Sequence, residues 1–198
     1  MVTMTWTAFW GSTFFRWALN HFHRAGLKDR VYGPFLTLHL CEAAAREGMP
    51  IYLYGATPPT IAQLCHALSA RFPDLRIAGA ESPPFRPLTA AEDAAAVERI
   101  NTSGARFLFL GIGSPRQERF AFEHRDRIHA VQLCVGAAFD FLAGTKKMAP
   151  AWMQKCGLEW LYRLFSEPRR LGKRYLVGNS RFLWLLAKYQ FHGHRASA

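Results

Sequence analysis

The sequence predicts an α/β domain in which a parallel sheet is covered by helices on both faces. Short apolar runs alternate with helix-like segments, an order typical of parallel sheets. The run Phe107-Leu108-Phe109-Leu110 is apolar throughout, as expected for a buried strand. Two glycines follow, and Ser114-Pro115-Arg116-Gln117 then has the composition of a helix N-terminus. A chain of 198 residues that is 50% hydrophobic is long enough for one domain with a full core.

Caps and breakers define most of the predicted elements. Thr57 precedes two prolines and Thr89-Ala90-Ala91-Glu92 is a capping box, so helices should begin at both positions. Glycines at positions 48 and 55 should end a helix and a strand. In chain order we predict a helix around 14–22, a helix over 35–47, a strand over 49–54, a helix over 57–72, a strand over 75–78, a rigid loop over 81–87, a helix over 89–101, a strand over 107–110, a helix from 114, a strand over 130–135 and a helix over 169–190.

The turns after the strands predict one ligand crevice. In open parallel sheets ligands bind beyond the carboxyl ends of the strands. That rule gathers Gly55, residues 79–85, residues 111–117 and residues 136–140 around a single crevice. Glycines in these turns should permit close backbone approach.

The turn between Gly111 and Gln117 allows two interpretations. The Ser114 hydroxyl could accept from the Gln117 amide while the Gln117 side chain reaches back, which would make the turn a well-capped crossover. Amides and the positive end of the helix dipole would equally suit a phosphate group. The local residues leave both interpretations open.

Positive charge is concentrated at the end of the chain. The net charge is +11, and from Lys146 onward eleven cations stand against two acidic residues. We therefore predict a core domain over residues 1–145 and a basic, aromatic, helical appendage over residues 146–198. Such an appendage could contact nucleic acid, an anionic membrane or a phosphorylated substrate, and composition does not choose among them.

Several classes of protein are disfavoured. The four cysteines are widely spaced, without a Cys-x-x-Cys pair, so neither a zinc site nor a disulfide framework is expected. We expect the protein to work in a reducing compartment. Arg16 interrupts the first apolar run, so no signal peptide is expected. No run of about 18 apolar residues predicts a transmembrane helix.

Six ordered blocks between residues 30 and 178 resemble the WecG/TagA/CpsF glycosyltransferases. The blocks are Arg30-Val31-Tyr32-Gly33-Pro34, Gly55-Ala56-Thr57, Phe72-Pro73-Asp74-Leu75, Gly111-Ile112-Gly113-Ser114-Pro115-Arg116-Gln117-Glu118, residues 135–144 and residues 149–170. The resemblance implies a Rossmann-like sheet with a C-terminal helical appendage.

The resemblance also implies an activity. Members of this family transfer a sugar from a nucleotide diphosphate, typically UDP, to a lipid-diphosphate-linked sugar in bacterial envelope or exopolysaccharide synthesis. We accordingly expect an inverting hexosyltransferase, cytoplasmic and peripheral on the inner face of the plasma membrane, with no cofactor and no metal. Its expected partners are a UDP-sugar, a polyprenyl-diphosphate-linked acceptor and an anionic membrane surface. Nucleic acid is not expected, because no recognition motif is present, and self-association stays open.

Two residues of the predicted crevice match the family's donor site. Gln117 would bind the nucleotide or sugar and is a candidate catalytic residue, with the capping box as its alternative role. Asp140 would contact donor hydroxyls and is the second candidate, with an N-cap for the following turn as its alternative. The donor-binding turns would be formed by Gly55, Gly111, Gly113 and Gly136.

The appendage supplies candidates for the diphosphate and the acceptor. Arg163, Arg170 and Lys173 are spaced i, i+7 and i+10, which places them on one face of a continuous helix, although Pro168 favours a break. The resemblance implies that arginines of the appendage neutralise the diphosphate, and Arg163 is the leading candidate and a candidate catalytic residue. Guanidinium groups suit this role because they bind phosphate through two hydrogen bonds. The alternative is a solvated basic face.

The expected general base has no match. The family's proposed base is an Asp in an early Asp-Gly motif, but here Trp10 stands before Gly11, and Phe35 stands where relatives tend to have Asp. Either residues 1–29 are a divergent or truncated start, or the chain is an inactive relative that binds nucleotide-sugar or partner enzymes without turnover. No other carboxylate is an obvious substitute for this base, although Asp140, at a strand end, lies in the predicted crevice.

Overall fold

The computed structural model describes residues 19–21, 23–27, 32–156, 158–166, 168, 172 and 184. They belong to two compact units. The larger unit spans Val31–Met148, and the other contains the described residues before and after it. The predicted division into residues 1–145 and 146–198 stays a prediction.

The larger unit alternates helices and strands along its whole length. Its elements are α1 (Gly33–Arg46), β1 (Ile51–Gly55), α2 (Pro58–Arg71), β2 (Ile77–Glu81), α3 (Ala90–Thr102), β3 (Phe107–Gly111), α4 (Arg116–Glu123), β4 (Val131–Cys134) and α5 (Ala138–Leu142). This alternation is the one that the apolar runs predicted.

The four strands form one parallel sheet in the order β2-β1-β3-β4. In the centre, Ile51 of β1 pairs with Phe107 of β3, and the register runs without interruption to Gly55 and Gly111. The predicted α/β, Rossmann-like parallel sheet is confirmed.

Helices cover both faces of this sheet, as predicted. On one face Leu53 and Phe109 pack with residues of α1, α2 and α5. On the other face Tyr54 and Leu108 pack with residues of α3 and α4. Alternate side chains of β1 and β3 thus enter opposite cores, which explains why both strands are apolar at nearly every position.

The two strongest sequence caps are confirmed. Thr57 caps α2, accepting a hydrogen bond of 3.4 Å from the Thr60 amide. At α3, Thr89 accepts from the Glu92 amide at 3.3 Å while the Glu92 carboxylate accepts from the Thr89 amide at 2.8 Å. In both cases the polar side chain serves its own helix.

The predicted strand over 75–78 is wrong in its bounds. β2 begins at Ile77 and extends through Glu81, a residue that the sequence placed in a loop. Leu75 instead belongs to the turn before the strand, where its amide donates to Phe72 and its side chain is buried in the core. The apolar character of Leu75 therefore reflects burial from a turn rather than a strand position.

The second unit includes two short helices, α6 (Ala151–Lys155) and α7 (Glu159–Ser166). Trp152 of α6 and Phe165 of α7 have exposed side chains. The helices predicted around residues 14–22 and over 169–190 lie almost entirely outside the described residues.

Candidate functional site

The centre of the sheet contains a change of direction. The connection from β1 leads through α2 to the neighbour on one side, whereas that from β3 leads through α4 to the neighbour on the other. The two helices cover opposite faces, so the turns after β1 and β3 diverge at the carboxyl edge. Such switch points are where open parallel sheets hold ligands.

Two glycines form the floor of this edge. Gly55 and Gly111 are register partners, and the Ala56 amide donates to the Gly111 carbonyl at 3.2 Å. A Cβ at Gly55 would overlap the Gly111 backbone, and one at Gly111 would overlap the ring of the buried Phe139. These two glycines thus allow a close approach between their own backbones and between Gly111 and the core. Their role in donor binding stays a prediction.

Side-chain contacts link the neighbouring loops to this floor. The Ser82 hydroxyl donates to the Ala56 carbonyl at 2.5 Å. The Arg116 guanidinium donates to the Phe85 carbonyl at 2.9 Å. The loop after β2 is therefore tied to the turns after β1 and β3, so the structure brings together the segments that the sequence assigned to one crevice.

Of the two interpretations of this turn, the capping box between Ser114 and Gln117 is wrong. Helix α4 has Pro115 at its N-cap and no side-chain cap. The Gln117 amide donates to the Gly113 carbonyl at 3.0 Å, so it is not available to the Ser114 hydroxyl. Gly113 has φ of +83°, which turns its carbonyl to this position and favours glycine there.

The side chain released from that role is buried beside the turn after β4. Gln117 is 5% exposed, and its Nε2 donates to Glu118 Oε1 at 3.1 Å. Its Oε1 lies 3.5 Å from the place that a Cβ at Gly136 would take. In the described part of the chain, neither Gln117 Oε1 nor Glu118 Oε2 has a hydrogen-bond partner. Gln117 therefore has an unused acceptor at the carboxyl edge.

Asp140 does not cap a helix. It lies inside α5, whose N-cap is Ala137, so the N-cap alternative is wrong. Its Oδ2 forms an ion pair with Lys146 Nζ at 3.2 Å, and its carbonyl accepts from the Thr145 hydroxyl at 3.0 Å. The role of Asp140 toward a donor sugar stays a prediction.

Sequence reasoning missed a polar network at the end of β2. Glu81 accepts from Arg99 at 2.7 and 2.8 Å and from the Tyr52 hydroxyl. The Arg99 hydrogen bonds, followed by that of Tyr52, hold the pKa of Glu81 below its ordinary value, and burial raises the pKa of Tyr52. Tyrosines at alternate positions of β1, 52 and 54, were the available signal, because they had to share a face.

A second missed network lies at the far end of α4. His124 is 3% exposed, with Nε2 2.8 Å from Asp93 Oδ1 and Nδ1 2.8 Å from the Phe120 carbonyl. Arg127 donates to the other oxygen of Asp93 at 2.9 Å. This network joins the first turn of α3 to the end of α4.

The remaining candidates lie mostly beyond the described residues. Arg163 lies in α7, but its side chain is not among the described ones. Arg170, Lys173, Trp10 and Gly11 lie outside the described residues. Their assignments to the diphosphate, the acceptor and the general base stay predictions.

The described part of the chain lacks both a metal-binding cluster and a membrane-spanning helix. No group of three or more His, Cys, Asp and Glu side chains there is arranged to hold a metal ion. Among the described helices, none combines the length and the apolar character that spanning a membrane requires.

Comparison with known protein families shows which family the chain belongs to. The model of the glycosyl transferase WecG/TagA/CpsF family matches residues 7–196, nearly the whole sequence. The chain therefore belongs to this family of glycosyl transferases of cell-envelope polysaccharide synthesis.

Proposed function

We propose that this glycosyl transferase moves a hexose, with inversion, from a UDP-sugar to a polyprenyl-diphosphate-linked sugar. The reaction would take place on the cytoplasmic face of the bacterial plasma membrane and serve envelope or exopolysaccharide synthesis. The observation that carries the proposal is the buried Gln117 oxygen at the switch point of the sheet, which has no hydrogen-bond partner among the described residues of this family member.

The donor site would use the turns of the carboxyl edge. Gly111, Gly113 and Gly136 shape these turns, and Gln117 and Asp140 stand beside them with polar groups that suit a hydroxyl-rich ligand. Asp140 is paired with Lys146, so the lysine ammonium would compete with a ligand for the carboxylate. We propose sugar or nucleotide binding for both residues.

The appendage would supply the phosphate and membrane contacts. Arg163, Arg170 and Lys173 are proposed to neutralise the diphosphate as it leaves, since guanidinium and ammonium groups stabilise such charge. The cations after residue 146 and the exposed side chains of Trp152 and Phe165 suit an anionic lipid surface. A lipid-linked acceptor would require that proximity.

The test is release of UDP from UDP-glucose or UDP-N-acetylglucosamine in the presence of a polyprenyl-diphosphate-linked sugar in anionic vesicles. We expect turnover in the wild type and at least a tenfold loss of kcat/KM in Gln117→Ala and Arg163→Ala. Arg46→Ala, an exposed cation at the end of α1, is the matched control and should keep full activity. Failure of every UDP-sugar to bind would contradict the proposal.

A second function is favoured by one sequence observation. Trp10 precedes Gly11 where the family's proposed base would stand, which fits an inactive relative that binds nucleotide-sugar or partner enzymes. Binding of a UDP-sugar without UDP release, with every acceptor offered, would support this alternative over turnover.

Membrane contact is tested separately. Reversing four tail cations together (Arg169, Arg170, Lys173 and Arg174, each to Glu) should abolish sedimentation with vesicles containing phosphatidylglycerol. Unchanged sedimentation would show that this segment is not the membrane contact.

A further inference from the structure

Two adjacent side chains at the start of α4 hold buried oxygens that no described donor satisfies. They are Gln117 Oε1 and Glu118 Oε2. A buried acceptor without a donor costs about 1–3 kcal/mol, and native structures pair nearly all such groups. Each oxygen can therefore still accept a hydrogen bond that the described residues do not provide.

The hydrogen bond between the two side chains determines which way the Gln117 amide faces. Glu118 Oε1 lies 3.1 Å from the Gln117 amide nitrogen. An ionised carboxylate only accepts, so the group against it must be the NH₂ and not the carbonyl oxygen. A flipped amide would set two oxygens against each other and lose a charge-assisted hydrogen bond.

The carboxamide of Gln117 lies against the turn after β4. Its Oε1 and Nε2 are 3.5 and 3.6 Å from the place that a Cβ at Gly136 would take, so a side chain there would contact the amide. Gly136 has φ of +54°, so the turn itself favours glycine at this place. The hydrogen bond to Glu118 therefore fixes the orientation of the Gln117 amide beside this turn and leaves its carbonyl oxygen as an unsatisfied acceptor among the described residues.

We propose that Glu118 is a positioning residue that holds the Gln117 carbonyl oxygen toward the ligand, so that Gln117 recognises a hydrogen-bond donor of the nucleotide-sugar. This inference rests on the proposed function. Diphosphate oxygens accept hydrogen bonds at neutral pH, so they are excluded as partners of Gln117. The partner is an N–H or O–H group, which the uracil imide, the ribose and the transferred sugar each provide.

The first test exchanges the two side chains. In Gln117→Glu two carboxylates face each other, and we expect the Kd for UDP-glucose, measured by isothermal titration calorimetry on the full chain, to rise at least tenfold. In the double variant Gln117→Glu with Glu118→Gln, the new amide donates to the new carboxylate, whose second oxygen still faces the ligand. Its Kd should return to within about threefold of the wild type.

Two single variants bound the effect. In Glu118→Gln the pair of amides can adopt either orientation, so the Kd should rise only about twofold, the factor for a half-populated competent state. Glu123→Gln, on the same helix with an exposed ion pair to Arg119, should leave the Kd unchanged. A double variant that folds with wild-type circular dichroism and Tm yet stays as weak as Gln117→Glu overturns the proposal.

The second test does not depend on the folding of the exchanged pair. Wild type and Gln117→Leu are titrated with UDP, N3-methyl-UDP, UDP-glucose and UDP-sugars lacking single hydroxyl groups. One analogue should bind the wild type about tenfold more weakly than its parent ligand does. The same analogue and its parent should bind Gln117→Leu with equal affinity. Coupling to the methylated uracil assigns the base, and coupling to a deoxy sugar assigns the sugar.

The failures of the two proposals are distinguishable. Absence of coupling with every analogue overturns the inference while leaving UDP-sugar binding intact. A wild-type chain that binds neither UDP nor any UDP-sugar contradicts the proposed function, and the inference falls with it.

Discussion

The turns after β1 and β3 begin alike and end differently. Each leaves a central strand at a glycine, Gly55 or Gly111, and leads into a helix that starts near a proline. After β1, the Thr57 side chain accepts from its own helix. After β3, α4 has no side-chain cap, and the Gln117 amide oxygen is left without a partner in the described part of the chain.

Under the proposed function, this difference separates a turn that completes the fold from a turn that keeps a polar group for a ligand. A polar side chain that caps a helix stabilises the folded state, and it has fewer free hydrogen-bonding groups for a substrate. A buried acceptor left unpaired costs stability, and strain of this kind concentrates at functional sites. We therefore propose that ligand recognition takes place at the second turn.

The largest effect is expected where the two turns share their floor. Gly111→Ala would drive a methyl group into the ring of Phe139, which is fully buried and has no room to move, so the free energy of unfolding should fall by about 3 kcal/mol. The measurement is urea unfolding followed by circular dichroism. Gly104→Ala is the control, because Gly104 has φ of +69° in open space and should lose only about 1 kcal/mol.

The second prediction concerns function at the β3 turn. Gln117→Ala should raise the Kd for a UDP-sugar at least tenfold, because one hydrogen bond to the ligand is lost. Its free energy of unfolding should change by less than about 1 kcal/mol, since loss of packing is offset by removal of an unpaired buried oxygen. A large loss of stability with unchanged Kd would assign Gln117 to the fold.

The third prediction is the mirror image at the β1 turn. Thr57→Ala removes the cap of α2 and should lower the free energy of unfolding by about 1 kcal/mol. Its Kd for the same UDP-sugar should stay within about twofold of the wild type. A tenfold weaker Kd would mean that both turns hold the ligand and that the contrast between them is wrong.

The smallest effect concerns Glu81, a third polar group at this edge whose partners lie within the fold. Its folded-state pKa is below the ordinary 4.5, chiefly because Arg99 donates to it. A carboxylate with a lowered pKa stabilises the fold at pH values above its ordinary pKa. This stabilisation disappears as the pH falls through the folded-state pKa. Glu81→Gln should thus lower the free energy of unfolding by about 1 kcal/mol at pH 7 and by less at pH 3. An equal difference at both pH values would contradict this role.

Local chemistry made the caps at Thr57 and Thr89 predictable, because each side chain bonds within three residues of itself. The same reasoning failed at Ser114, because the Gln117 amide donates its hydrogen bond to the Gly113 carbonyl and not to the Ser114 hydroxyl. It also could not reveal the contact of Tyr52 and Glu81, which are 29 residues apart and meet only through the pairing of β1 with β2. Strand patterns thus predicted the parallel sheet, whereas the hydrogen bonds of Gln117 could be learned only from the tertiary structure.

The most direct test of the account is amide hydrogen exchange of the full chain with and without a UDP-sugar. We predict that the ligand protects residues 111–118 and 136–140, the segments around the Gln117 oxygen. The comparison region is the cavity of about 190 Å³ between α1 and the end of α2, lined by Phe35, His39 and Arg71 among others. Protection confined to that cavity, with no change at residues 111–118, would contradict the assignment of the carboxyl edge as the donor site.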